Sequence, residues 1–168
     1  KQNQNAGFAF SQGERKRTLH KHLEFTATEQ YKLLRTNLAY TIPQDVKCPI
    51  IGVTSSTRGE GKSTTAVNLS YVLAENKKRV LLIDGDLRIP SIAKKMGLDS
   101  SPGLTDVLMG YDNDIEHYKS TLLDTWYIMP SGDIPPNPSE LLGSARMERL
   151  ISDLRKVYDY IILDSPPV

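Results

Sequence analysis

The stretch GVTSSTRGEGKST, residues 52–64, decides the fold. An apolar, β-branched run from Pro49 to Thr54 enters a turn that closes on Gly61, Lys62 and Ser63. Gly59 and Gly61 permit positive φ and let the backbone come close to a ligand, so consecutive N–H groups can point at phosphate oxygens. Lys62 adds a cation for β- and γ-phosphates and Ser63 a hydroxyl for Mg²⁺, while the helix that follows directs its positive end at the same place. The common form of this loop has glycine five residues before its second glycine. Ser56 stands there instead, so the loop belongs to a variant class.

Outward from the loop the pattern repeats. Ala66, Leu69 and Leu73 mark one face of a helix ending near residues 76–78, and Val80, Leu81, Leu82 and Ile83 read as a strand apolar on both faces. A strand of that kind is a parallel one covered on each side. Short helices are expected over 91–96 and 103–109, a third strand over 126–129, and a fourth over 160–163. Between the last two, residues 138–157 read as a long helix with an interruption at Gly143. Upstream, Thr26 with Glu29 has the spacing of a capping box, and Tyr31, Leu34 and Leu38 continue a helix of about three turns toward the break at Pro43. Strands alternating with helices predict an α/β fold: a P-loop NTPase-like three-layer sandwich with a mainly parallel sheet and helices on both faces.

Composition bounds the function. The 168 residues are 39% hydrophobic and 24% charged with a net charge of +1, a balance that calls for neither nucleic acid nor an acidic partner. The single cysteine, Cys48, excludes an internal disulfide framework and fits a reducing compartment. No apolar run approaches the ~18 residues needed to cross a bilayer. Residues 1–24 read as a flexible, basic N-terminal arm and residues 25–168 as the folded domain. The chain begins with Lys1 and stops just after an apolar strand, so the domain is expected to continue beyond Val168.

Two further segments sit at strand ends, where open α/β sheets place their ligands. In VLLIDGDLR, alternation along an extended chain sends Asp84, Asp86 and Arg88 to one side, beside the phosphate loop. In YIILDSPP, Asp164 ends another apolar strand, the usual place for a carboxylate that holds Mg²⁺ opposite the loop serine.

The loop SSTRGEGKST, the segments LLIDGDLRIPS and SPGLTDVLMG, the phrase PSGDIPPNPSELLGS and the closing IILDSPPV jointly resemble the bacterial tyrosine kinases. That family is a P-loop ATPase-like one, unrelated to eukaryotic protein kinases. The resemblance runs from about Thr28 to Val168. It implies ATP-dependent phosphorylation of protein tyrosines, including autophosphorylation, in the control of capsule or exopolysaccharide assembly, with ATP and Mg²⁺ as cofactors. By the match, Arg58, Gly59, Glu60, Gly61, Lys62, Ser63 and Thr64 form the nucleotide loop. Lys62, Asp84 and Asp86 are the catalytic candidates, and Ser63, Asp84 and Asp164 the metal candidates. Glu29, Lys32 and Arg35 match a pattern of subunit contact in a homo-oligomeric ring, although Lys32 stands where the family has arginine. The resemblance further implies a transmembrane activator, a polysaccharide co-polymerase chain, that holds the cytoplasmic kinase at the inner face of the plasma membrane.

Three departures bear on the reading. Arg58 replaces the more usual proline. The eight tyrosines are scattered, without the terminal cluster of autophosphorylation sites that family members carry, and Tyr158 and Tyr160 read as packing residues. Thr57 occupies the position of the signature lysine in ATPase switches of the septum-positioning and plasmid-partition type, which disfavours that alternative. A non-catalytic assembly module is the third reading.

Overall fold

The structure, a computed structural model, describes residues 24–168. The arm read at residues 1–24 therefore lies, apart from Glu24, outside the described residues. In chain order the elements are α1 (Phe25–Thr41), β1 (Ile50–Val53), α2 (Lys62–Glu75), β2 (Val80–Asp84), α3 (Ile92–Met96), α4 (Leu104–Met109), a 3₁₀ turn (Ile115–Tyr118), β3 (Trp126–Met129), α5 (Pro138–Leu142), α6 (Ala145–Leu154) and β4 (Tyr160–Asp164).

The four strands form one sheet in the order β1-β4-β2-β3, every pairing parallel. Because all strands run the same way, their carboxyl ends share one edge, and β4 lies between the loop strand and β2. Val53 and Asp84 are both register partners of Asp164, so the loop and the two acidic segments are neighbours across the sheet.

Val80, Leu81, Leu82 and Ile83 of β2 are each 0% exposed, as their unbroken apolarity requires. Leu81 and Ile83 face one side with Tyr127, Met129 and Ile161, against α4 and α6. Val80 and Leu82 face the other with Trp126, Ile128 and Ile162, against Val67, Leu69 and Leu73 of α2. Each such side chain contributes about 1.5–3 kcal/mol when fully buried. The single tryptophan closes the second layer: its Nε1 donates to Ser70 Oγ at 3.0 Å, and its ring meets Tyr71 edge to face at 5.3 Å. Tyr158 packs edge to face on Tyr127, with the Arg79 guanidinium over both rings.

Two helix expectations are corrected. The helix at the start is 17 residues long, begins at Phe25, and has Glu24 at its N-cap position with no side-chain cap bond. Thr26 therefore lies inside the first turn, and no capping box with Glu29 forms. The second concerns 138–157: the interruption at Gly143 is present, since α5 ends at Leu142 with Gly143 as its C-cap and Ser144 caps α6 by accepting the Met147 amide at 3.3 Å, but the helix stops at Leu154 and not at 157. Among the described residues, no helix is long and apolar enough to cross a membrane.

Candidate active site

The phosphate loop is built as its glycines demand. Gly59 and Gly61 have φ of +84° and +89°, and a Cβ on either would meet nothing within 4 Å. Backbone conformation alone, not crowding, requires glycine there. Gly61 is the N-cap of α2, so the helix opens at Lys62 and its first amides face the loop. Lys62 and Thr64 are half-buried, Ser63 is buried, and Arg58, Gly59, Glu60 and Gly61 are exposed.

Glu60 is held within the loop. Its carboxylate accepts the amides of Ser56 at 3.0 Å and Thr57 at 3.1 Å, together with the Ser56 hydroxyl at 3.1 Å. The Thr57 backbone bond, with the Ser56 hydroxyl bond next, holds this carboxyl below its usual range. Ser56, the departure from the common loop, is thus the residue whose side chain ties the turn shut. The spacing alone carries a signal for it, a serine four residues before an acid across a glycine turn.

Three motifs meet at Lys62. Its Nζ lies 3.1 Å from Asp164 Oδ1, 3.3 Å from Asp86 Oδ2 and 3.4 Å from Ser63 Oγ. Asp164 is 0% exposed, and its other oxygen, Oδ2, has no hydrogen-bond partner. Burial raises the Asp164 pKa, opposed by hydrogen bonds from Ser63 and Lys62. Asp86 anchors its second oxygen on the Ile89 amide at 3.1 Å.

Asp84 is wholly buried and takes three amides: Asp86 on Oδ1 at 3.2 Å, and Ser91 and Ile92 on Oδ2, both at 2.9 Å. Burial pushes its pKa up to about 6, outweighing the lowering by those amides. By gathering Ser91 and Ile92, Asp84 folds the chain back directly after β2. That turn corrects the expectation for Arg88, which leaves the extended line of Asp84 and Asp86 and donates to Ser139 Oγ of α5 at 3.1 Å. Gly85 was not singled out by the sequence reading. A Cβ there would press on the Leu163 side chain at 2.8 Å and the Asp164 carbonyl at 3.0 Å, so the glycine lets β2 and β4 close beside the site.

The fit to a divalent cation rests on the orphaned Asp164 Oδ2, which lies in a carboxylate already bonded to Ser63 and Lys62. No group of three or more histidine, cysteine or acidic side chains among the described residues gathers as a complete metal cage. One carboxylate and one hydroxyl, with the rest of the shell from phosphate and water, is how Mg²⁺ is ordinarily held at nucleotide sites. A cavity of about 320 Å³ lies apart, lined by Met96, Leu98, Lys119, Leu122 and Ile128, and takes no part in this arrangement.

The assembly trio is already partnered within the chain. Lys32 bonds Glu29 at 3.0 Å, and Arg35 donates to the Val72 carbonyl at 2.8 Å, tying α1 to the last turns of α2.

Comparison with known proteins agrees with this layout. A family model described as an AAA domain matches residues 48–168. Tyrosine-protein kinase YwqD of Bacillus subtilis is 40% identical over 84% of the chain and 59% of its own length. The VpsO kinase domain superposes with a TM-score of 0.73 at 34% identity, covering 84% of the chain and 69% of that structure. The chain belongs to the bacterial tyrosine kinase family. Within the wider fold of that family, the septum site-determining protein MinD of Pyrococcus horikoshii, complexed with Mg-ADP, is 31% identical with a TM-score of 0.58, over 72% of the chain and 50% of its own. The chain spans less than two thirds of the length of YwqD and 65% of tyrosine-protein kinase CpsD of Streptococcus pneumoniae.

Proposed function

We propose that the chain carries the ATP-binding and phosphoryl-transfer machinery of a protein tyrosine kinase serving capsule or exopolysaccharide production. One observation carries this reading: Lys62 Nζ stands within 3.3 Å of a carboxylate oxygen of both Asp86 and Asp164, which joins three separate motifs at the strand carboxyl edge. The amides opening α2 receive the phosphates, and Lys62 neutralises charge that spreads over the transferred phosphoryl oxygens. Ser63 and Asp164 would hold Mg²⁺, which when bound would supply further neutralisation of phosphate charge.

The acceptor is a tyrosine hydroxyl, whose pKa near ~10 leaves it protonated at neutral pH. Its oxygen bonds to the γ-phosphorus as the bond from that phosphorus to the β-phosphate bridging oxygen breaks, and the proton passes to a carboxylate. Asp84 suits that task, because a pKa of about 6 keeps it ionised at pH 7 yet basic enough to accept a proton. The family reading extends to a ring of copies and a membrane-bound activator chain. Glu29, Lys32 and Arg35 are the residues proposed to serve assembly.

The rival is the ATPase switch, favoured by the likeness to MinD and disfavoured by Thr57 in place of the signature lysine. Incubation with ATP and Mg²⁺, reading phosphotyrosine and free phosphate together, separates them. The kinase gives phosphotyrosine that Lys62→Met abolishes. Free phosphate without phosphotyrosine supports the switch, and phosphotyrosine retained in the folded Lys62→Met variant removes the loop from the mechanism.

A further inference from the structure

Lys62 is placed where a cation of the loaded site belongs. Its ammonium touches Ser63 Oγ, Asp164 Oδ1 and Asp86 Oδ2, and two of those three residues are the proposed metal ligands. The side chain is only 11% exposed, so this is an inward, desolvated position and not a lysine reaching toward solvent. Asp84, Asp86 and Asp164 bring three carboxylates together. Asp84 is satisfied by neutral amides alone, which leaves Lys62 as the cation in contact with the other two. A buried carboxylate needs such a partner. Asp164 Oδ2, in the carboxylate whose Oδ1 Lys62 bonds, is buried and without a partner.

We infer that in the nucleotide-free chain Lys62 acts as a resident cation that closes the divalent-metal site, and that metal and lysine exchange places on loading. Two cations cannot share Asp164 and Ser63 without repulsion in a site this dry. A divalent ion entering there drives the lysine toward the loop, where phosphates receive it. Free metal is thus disfavoured and the metal–nucleotide complex favoured, because the complex supplies both the replacement cation and the new anion for Lys62. Coupling of this kind is reciprocal: whatever draws Lys62 to phosphate strengthens metal binding by the same factor. The inference rests on the reading of Ser63 and Asp164 as metal ligands, but not on tyrosine as the acceptor.

Mn²⁺ in the absence of nucleotide is the probe. Bound and free Mn²⁺ are separated by their electron paramagnetic resonance signal on the whole chain and on Lys62→Met, with circular dichroism confirming the fold of each. The variant is expected to bind Mn²⁺ at least tenfold more tightly. In the wild type, acylation of Lys62 by an amine-reactive reagent, located by peptide mass, is expected to rise severalfold across the Mn²⁺ titration and to stay level with K⁺. If Lys62→Met does not fold, the labelling experiment decides. Equal, weaker or undetectable Mn²⁺ binding in a folded Lys62→Met overturns the exchange, as does labelling unmoved by Mn²⁺. A chain that exchanges metal yet makes no phosphotyrosine would discard the kinase reading and leave this one standing.

Discussion

Gly103→Ala tests how α4 is seated against the end of β3. The glycine has φ of −154°, extended backbone that any residue adopts, so conformation is not at issue. An added Cβ would lie 2.1 Å from the Gly132 nitrogen, 2.5 Å from the Pro130 carbonyl oxygen and 2.7 Å from the Gly132 Cα. All three are backbone atoms, and no side-chain rotation relieves them. Restoring ordinary contact separates the two segments by about 1 Å. That movement strains the bonds Leu104 N to Pro130 O at 2.8 Å, Thr105 N to Ser131 O at 2.9 Å and Thr105 Oγ1 to Ser131 O at 2.9 Å. At about 1 kcal/mol net for each bond, and with partial loss of the burial of Leu104, the cost is about 3–4 kcal/mol. Urea unfolding reads it directly: with a slope of about 2 kcal/mol per molar, the midpoint falls by about 1.5–2 M. Gly110→Ala is the matched comparison, since Gly110 has φ of +82° with open space around it and should cost about 1–2 kcal/mol. A Gly103→Ala variant within 1 kcal/mol of the wild type would refute the close-approach reasoning.

Two other outcomes follow from buried polar groups. The Asp84 carboxyl, raised to about 6, binds a proton in the folded state over the pH range where the unfolded chain has released it. Its contribution to stability therefore falls as pH rises from about 4 to about 6, by about 3 kcal/mol if the whole shift is realised; urea titrations of the wild type and Asp84→Asn at pH 4.5 and 7.5 should show the difference flattened in the variant, and equal slopes would contradict it. Ser70→Ala strands the buried indole N–H of Trp126 and should cost about 1–3 kcal/mol in thermal unfolding, so a wild-type melting curve would mean that the bond at 3.0 Å contributes nothing.

β2 and β3 were legible because each is an uninterrupted apolar run, and burial on both faces leaves only that pattern; β1, at the sheet edge and only partly buried, was legible from its short β-branched run before the loop. The phosphate loop, Asp84, Asp86 and Asp164 were legible because a parallel sheet sends every strand's carboxyl end to the same edge. Arg88 was not, since alternation assumes an extended chain, and the chain stops being extended where the Asp84 carboxylate catches the Ser91 and Ile92 amides. The position of Lys62 against the carboxylates was equally out of reach. Its partners lie in other motifs, and a sequence records which groups a phosphate would meet but not where the lysine rests without one. The start of α1 was misplaced for a local reason: Thr26 and Glu29 have capping-box spacing, but the Thr28 hydroxyl bonds the Glu24 carbonyl one turn back, inside a helix already under way. The break at 143–144 carried a fuller signal, a glycine that ends one helix followed by a serine that caps the next.

The strand order has a consequence for how the protein is made. Among the described residues β1, which carries the phosphate loop, pairs only with β4, and β4 lies more than a hundred residues later in the chain. At about 5–20 residues per second, a ribosome leaves β1 without its neighbour for about 5–20 s. During that interval the loop has neither Asp164 nor a sheet to stand on, and the β1 backbone presents an unpaired edge of the kind that templates aggregation. The nucleotide site therefore forms only after β4 has emerged, and a chain interrupted before residue 160 carries the phosphate motif without the Asp164 carboxylate that stands beside Lys62.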